Sequence, residues 1–139
     1  MMSNDNDNTP LKLLVIDDES IVGKRLKQVF TKMGFKVDTY TNPISAMEVM
    51  EKYPFDIVVT DFKMDGMDGM EVLERVKKMN PDTKVIIITG YAQLDTASEA
   101  FRKGVFDFIA KPFRLDELKR VIIRAMAGTM LARQQENDM

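Results

Sequence analysis

The feature that most constrains the fold is a fivefold alternation of short apolar segments with longer amphipathic ones. The apolar segments are LKLLVID, KVDTY, FDIVVTD, KVIIIT and VFDFIAK. Each is followed by a segment whose apolar residues recur at helical spacing. Apolar strands that alternate with helices predict an α/β fold, in which helices cover both faces of a parallel sheet. Right-handed crossovers favour a doubly wound sheet of five strands in the order 2-1-3-4-5.

The length of 139 residues suits one domain with a sizeable core. We expect the polar residues 1–10 to form a disordered tail and residues 11–128 to form the domain. Residues 129–139 either prolong the last helix or fray. Asp68 and Glu71 form a D-x-x-E pattern, which predicts a capping box at the start of the third helix.

The composition excludes several classes of function. The chain has no cysteine and no histidine, which removes disulfides, thiolate nucleophiles, histidine-containing triads and ordinary zinc sites. The net charge is −2 and no basic block stands out, so we expect no direct contact with nucleic acid or an anionic membrane. No signal peptide and no membrane-spanning run are recognisable, which predicts a cytoplasmic protein.

Polar side chains gather at the carboxyl ends of four predicted strands. Asp17 and Asp18 end the first, Asp61 the third, Thr89 the fourth and Lys111 the fifth. In a doubly wound sheet these ends meet in one crevice. Each of these residues, taken alone, is adequately explained as part of a turn or a helix cap. Their joint occurrence predicts a site.

The chemistry of that site points to phosphoryl transfer. Neighbouring carboxylates raise each other's pKa values, and a hard divalent cation relieves the conflict. Because the site offers few protein ligands, Mg²⁺ suits it better than Ca²⁺. A site with a cation, an ammonium and a hydroxyl suits a phosphoryl group, because the negative charge of its oxygens must be stabilised on several sides. Asp61 can then act as the nucleophile and form an aspartyl phosphate.

The sequence resembles receiver domains of two-component response regulators over roughly Leu11 to Gly128. VIDDES is similar to the acidic pair of that family, and VVTDFKMDGMDG to the segment around its phosphoacceptor. IIITGYA is similar to the strand with the conserved hydroxyl, and FIAKPF to the lysine–proline turn. The resemblance implies a flavodoxin-like (βα)5 fold and a signalling domain rather than an enzyme, capable only of its own phosphorylation and dephosphorylation.

The resemblance also implies a role for each matching residue. Asp61 would accept a phosphoryl group from a sensor histidine kinase or a histidine phosphotransfer protein. Asp18, Asp61 and the backbone carbonyl of Lys63 would hold Mg²⁺, and Asp17 would act mostly through water. Lys111 would bind the phosphoryl group.

A second group of matching residues would transmit the signal. The bond between Lys111 and Pro112 is typically cis in this family. Thr89 would move to hydrogen-bond the phosphoryl group, and Phe108 would turn inward behind it. This coupled shift would remodel the face made by the fourth helix, the fifth strand and the fifth helix.

Four positions bear on how this chain would behave within the family pattern. Asp65 stands where the family usually has proline, and we expect it to face solvent. Phe108 occupies a switch position often filled by tyrosine, so it cannot donate a hydroxyl hydrogen bond. Lys63 and Tyr91, two positions beyond Asp61 and Thr89, would tune how fast water removes the phosphoryl group.

Four functions compete at this stage. The first is a stand-alone signalling switch, a monomer or a phosphorylation-dependent dimer, whose downstream protein partner leaves no mark in the sequence. The second is the truncated regulatory domain of a DNA-binding transcription activator; the polar ending ARQQENDM favours the first. A Mg²⁺-dependent phosphohydrolase would carry a second aspartate where Lys63 stands. A flavin-binding module would need a phosphate-cradling loop after LLVID, which the chain lacks.

Overall fold

The computed structural model describes residues 9–90 and 94–137, which form five strands and five helices in strict alternation. The strands are β1 (Lys12–Ile16), β2 (Lys36–Tyr40), β3 (Ile57–Asp61), β4 (Lys84–Thr89) and β5 (Asp107–Ala110). The helices are α1 (Ser20–Lys32), α2 (Pro43–Lys52), α3 (Gly69–Met79), α4 (Leu94–Arg102) and α5 (Leu115–Asn137).

The five strands form one parallel sheet in the order β2-β1-β3-β4-β5, which confirms the predicted fold and strand order. In the register, Ile16 pairs with Thr60, Asp61 with Ile88, and Thr89 with Ala110. Strands β1, β3 and β4 therefore end at nearly the same level. Whatever follows them is brought to one edge of the sheet.

The core consists of two apolar layers, one on each face of the sheet. Successive residues of a strand point to opposite faces, so Leu13 and Val15 join one layer while Leu14 and Ile16 join the other. Helices α1 and α5 cover the first layer, and α2 and α3 cover the second. This double burial explains why the central strands are apolar along their whole length.

Helix α4 is held less firmly than its neighbours. Among its residues with described side chains only Ala100 is buried, and the large apolar side chain of Phe101 is exposed. Lys103, just after the helix, forms ion pairs with Glu74 of α3 and Glu99 of α4. Exposed pairs of this kind contribute little to stability.

The last helix of the domain extends almost to the end of the chain. Helix α5 continues through Asn137, so residues 129–137 prolong the helix, and residues 138–139 lie outside the described residues. Residues 1–8 of the expected disordered tail lie outside the described residues, as do residues 91–93. None of the helices within the described ranges is both long and apolar enough to cross a bilayer.

The start of α3 lies against the end of β3. The predicted capping box is present: Asp68 Oδ1 accepts from the Glu71 amide at 2.9 Å, and Glu71 Oε1 accepts from the Asp68 amide at 3.4 Å. Gly69 packs so closely that a Cβ there would lie 2.7 Å from the carbonyl oxygen of Asp61. Its amide also donates to the Phe62 carbonyl at 2.7 Å. The first turn of α3 therefore positions the backbone around Asp61.

We expect Asp68→Ala to lower the free energy of unfolding by about 1 kcal/mol, because it removes the side chain that caps α3. Urea denaturation followed by circular dichroism measures this change. Asp65→Ala is the matched control, since Asp65 is an exposed aspartate of the same loop. Equal stabilities of the two variants would show that the capping box does not stabilise this loop.

Candidate functional site

Three aspartates converge at the carboxyl edge of the sheet. Asp17 and Asp18 follow β1 directly, and Asp61 is the last residue of β3. One carboxylate oxygen of each lies within 4.8 Å of the others. Asp17 is 6% exposed, Asp61 is half-buried and Asp18 is exposed, so the cluster opens to solvent on the side of Asp18.

Backbone amides hold one oxygen of each buried carboxylate. Asp17 Oδ1 accepts from the Glu19 amide at 2.8 Å, and Asp61 Oδ1 accepts from the Phe62 amide at 2.8 Å. The Oδ2 atom of each of these carboxylates lies near the Lys111 ammonium. Sequence reasoning missed these two donors because any residue type supplies a backbone amide.

The ammonium of Lys111 lies at the edge of the cluster. Its Nζ is 3.3 Å from Asp61 Oδ2 and 3.9 Å from Asp17 Oδ2. The Lys111 amide donates to the Thr89 carbonyl at 2.7 Å, which ties the residue after β5 to the end of β4. The peptide bond from Lys111 to Pro112 is cis. One cation thus faces two buried carboxylates.

The electrostatics of the cluster are unfavourable to full ionisation. Burial raises the pKa of Asp17 above its ordinary value, and the charges of Asp61 and Asp18 raise it further. The Glu19 amide and Lys111 lower the pKa of Asp17 but do not reverse the shift. Burial also raises the pKa of Asp61, although Lys111 and the Phe62 amide act in the opposite direction. A single ammonium therefore does not offset the cost of holding these carboxylates together.

This donor set fits a hard divalent cation. Three convergent carboxylates supply the oxygen ligands that Mg²⁺ prefers, and the open side near Asp18 leaves room for the waters that Mg²⁺ retains. The raised pKa values of Asp17 and Asp61 indicate an uncompensated negative charge that such an ion would neutralise. The geometry therefore supports a cation site without identifying the ion.

The other residues expected at the site lie at its margins. Thr89 is 1% exposed at the end of β4, next to the residue that pairs with Asp61. Phe108 is half-buried on β5 and packs against the apolar layer under α2 and α3. Lys63 is exposed in the loop after β3. Tyr91, expected to tune the lifetime of a phosphoryl group, lies outside the described residues.

We expect Asp61→Asn to raise the melting temperature at pH 7 in EDTA. The raised pKa means that the folded state binds this proton more tightly than the unfolded state, so the charged carboxylate costs stability above the folded-state pKa. The advantage of the variant should shrink as the pH falls through the raised folded-state pKa of the wild-type carboxyl, because the charge is then lost. Differential scanning calorimetry across this pH range measures both effects.

Mg²⁺ should stabilise the wild type in the same experiment. At ten times its dissociation constant the ion contributes about 1.4 kcal/mol, or about 4 °C for a domain of this size. Asp61→Asn should lose most of this response, whereas Asp65→Asn, the control, should keep it. A melting temperature of Asp61→Asn below that of the wild type in EDTA would mean that the Lys111 pair and the Phe62 amide outweigh the cost of burying the charge.

The chain matches known proteins along most of its length. The family model of the response regulator receiver domain matches residues 13–123. Sporulation initiation phosphotransferase F of Bacillus subtilis (strain 168) is 35% identical over 80% of this chain and 90% of that protein. Regulatory protein AtoC of Escherichia coli (strain K12) is 36% identical over 83% of this chain.

Solved structures agree with these sequence matches. A response regulator receiver domain protein from Clostridium thermocellum superposes with a TM-score of 0.81 at 33% identity, covering 88% of this chain and 98% of that one. The receiver domain of NtrX from Brucella abortus gives 0.75 at 32% identity, covering 83% and 98%. The chain spans about a quarter of the length of AtoC and of the Klebsiella oxytoca regulator ZraR, 25% and 27% respectively.

Proposed function

The chain belongs to the response regulator receiver domain family, and on that premise we propose that it is a phosphorylation-dependent switch with Asp61 as the phosphoacceptor. The observation that carries the proposal is the surroundings of Asp61. Its Oδ2 lies 3.3 Å from the Lys111 ammonium, and two further carboxylates converge on it. An acceptor carboxylate needs nearby cations, because the incoming phosphoryl oxygens carry negative charge.

The proposed donor is a phosphohistidine of a sensor histidine kinase or a histidine phosphotransfer protein in the cytoplasm. Asp61 Oδ1 is held by the Phe62 amide, so we assign the attack on phosphorus to Oδ2. A phosphorus–oxygen bond forms as the phosphorus–nitrogen bond breaks, and the departing imidazole nitrogen keeps the electron pair and takes up a proton. Lys111 holds a phosphoryl oxygen throughout.

Mg²⁺ is the proposed cofactor. Asp18, Asp61 and the backbone carbonyl of Lys63 would hold it, with Asp17 acting through a water molecule. When bound, the ion would neutralise the carboxylates and the phosphoryl oxygens together. Support comes from the convergence of the three carboxylates and from the raised pKa values of Asp17 and Asp61.

The proposed output is a change in the face formed by α4, β5 and α5. Thr89 would move to hydrogen-bond the phosphoryl group, and Phe108 would turn inward behind it. This proposal is supported by the weak anchoring of α4, whose Ala100 is its one buried side chain among those described. Weakly anchored elements can shift between two positions at small cost. The remodelled face would then bind a downstream protein.

A second candidate is the regulatory domain of a DNA-binding transcription activator. It is favoured by the similarity to the DNA-binding transcriptional regulator NtrC of Escherichia coli (strain K12), which is 32% identical over 88% of this chain and 26% of that protein. The switch at Asp61 would be the same, but it would act on a DNA-binding domain of the same polypeptide. Reading the gene past the codon for Met139 distinguishes the two candidates.

We expect one phosphoryl group on the wild type after incubation with Mg²⁺ and acetyl phosphate, measured by intact mass. Asp61→Asn should carry none, since its amide is a poor nucleophile. Asp65→Asn, the control, should be phosphorylated as the wild type is. Alkali should remove the adduct, because acyl phosphates hydrolyse readily in base.

Two results would contradict the proposed acceptor. A phosphoryl group on Asp61→Asn would place the acceptor elsewhere. No adduct on the wild type, with Mg²⁺ binding confirmed by titration, would indicate a domain that signals by binding alone.

We expect Lys63→Ala and Tyr91→Ala to shorten the lifetime of the phosphoryl group several-fold. A long cation and an aromatic ring at these positions would shield the phosphorus from attacking water. Phosphate release after removal of the donor measures the lifetime, and Lys52→Ala, an exposed lysine of α2, is the control. Unchanged lifetimes in both variants would exclude this shielding.

A further inference from the structure

The loop between β3 and α3 contains the same tetrapeptide twice in succession. Residues 64–67 and residues 67–70 both read MDGM. In an Asp–Gly pair the glycine amide nitrogen can attack the side-chain carboxyl carbon of the aspartate, because the missing Cβ leaves room for this close approach. Since the adjacent residues are identical, a large difference in reactivity between Asp65 and Asp68 must arise from the fold.

The first copy of the tetrapeptide is open to this reaction. Asp65 and Gly66 are both exposed. Within the described residues, neither the Asp65 carboxylate nor the Gly66 amide has a hydrogen-bond partner. Gly66 has a φ of +89°, in the left-handed region that favours glycine. No hydrogen bond to a described residue has to break before the nitrogen and the carboxyl carbon come into reacting distance.

The second copy is locked by the start of α3. Asp68 Oδ1 accepts from the Glu71 amide at 2.9 Å, so this carboxylate is engaged as a helix cap. The Gly69 amide donates to the Phe62 carbonyl at 2.7 Å, and Gly69 is buried. The same reaction at Asp68 would have to break both hydrogen bonds and distort the first turn of the helix.

We propose that Asp65 is a modification site, at which the chain converts spontaneously to isoaspartate through a cyclic imide. The Gly66 nitrogen forms a bond to Asp65 Cγ, and one carboxyl oxygen leaves as water with the carboxyl proton and the amide hydrogen. A second water molecule then opens the imide. Its attack at Cγ restores aspartate, whereas its attack at the main-chain carbonyl carbon gives isoaspartate, in which the backbone runs through Cγ.

Isomerisation lengthens the main chain of a loop whose two ends are fixed. Isoaspartate adds one carbon atom to the backbone between Asp61, at the end of β3, and the capped start of α3. Met67 is buried in the apolar layer under α2 and α3, so the residues before it absorb the extra atom. Among these is Lys63, whose carbonyl is the proposed Mg²⁺ ligand. We expect the isomerised chain to be phosphorylated less readily, a consequence that rests on the proposed function although the isomerisation itself does not.

Storage of the folded full chain for several weeks in a mildly acidic buffer, without a phosphodonor, tests the proposal. Trypsin releases both aspartates in one peptide, residues 64–75. Electron-transfer fragmentation then distinguishes isoaspartate from aspartate at each position. We expect at least about tenfold more isoaspartate at Asp65 than at Asp68, because the reaction at Asp68 must first break a helix cap and an amide hydrogen bond.

Two controls separate the effect of the fold from the chemistry. In guanidinium chloride, where the chain is unfolded, Asp65 and Asp68 should isomerise at similar rates because their adjacent residues are the same. Asp65→Glu keeps the charge but should form no imide during storage, since the larger ring closes far more slowly. Stored wild type should be phosphorylated by acetyl phosphate and Mg²⁺ to a smaller fraction than fresh wild type, whereas stored Asp65→Glu should match its fresh form.

Two results would overturn the proposed site. Equal amounts of isoaspartate at Asp65 and Asp68 in the folded protein would show that the fold does not select between them. Isoaspartate that forms at Asp65 only in guanidinium chloride would show that the folded loop protects this residue. An equal loss of phosphorylation in stored wild type and stored Asp65→Glu would overturn the expected effect on Lys63. The isoaspartate content is measured without a phosphodonor, so a failure of this proposal and a failure of the proposed function are distinguishable.

Discussion

The burial of neighbouring carboxylates at the carboxyl edge of the sheet is the constraint on which the rest of the structure depends. Asp17 and Asp61 are mostly withdrawn from water and face each other across a short distance, with Lys111 as the nearby cation. Their raised pKa values show that this arrangement costs stability. A fold that was selected for stability alone would not keep such a cluster. The sheet and the amides of Glu19 and Phe62 hold the carboxylates in place. This rigidity suits a site that binds a charged group from solution.

The rigidity has a local origin in residues that carry no charge. The central strands bury side chains on both faces, so their ends cannot shift without disturbing two apolar layers. Gly69 lets α3 begin directly against the carbonyl of Asp61, and the capping box fixes that start. Helix α4 differs from these elements in how much apolar surface it buries, since it has one buried side chain among those described. The same fold combines a fixed site with a loosely held element beside it.

The fold was predictable because strand–helix alternation and apolar strands leave few arrangements. Asp17, Asp18, Asp61 and Lys111 were predictable as one cluster for the same reason, since strand ends of a parallel sheet meet. The Glu19 and Phe62 amides were not, because backbone donors have no residue type. The close packing of Gly69 was also missed, although a glycine after a capping aspartate hinted at it. The length of α5 stayed open because polar residues after Gly128 suit a helix and a frayed end equally. The structure favours the helix, because one side of α5 is buried and Arg133 contacts the Thr9 carbonyl and Asp56.

The contacts of Arg133 with the Thr9 carbonyl and the Asp56 carboxylate have a mechanical consequence. They hold one end of α5 to the residues that precede β1 and β3, while the other end begins a few residues after Lys111. A helix of 23 residues is about 35 Å long. With its far end fixed as a pivot, a tilt of about 5° displaces the first turn by about 3 Å over that length. A small rearrangement near Lys111 would therefore sweep the face beside β5 sideways and leave the pivot end nearly still.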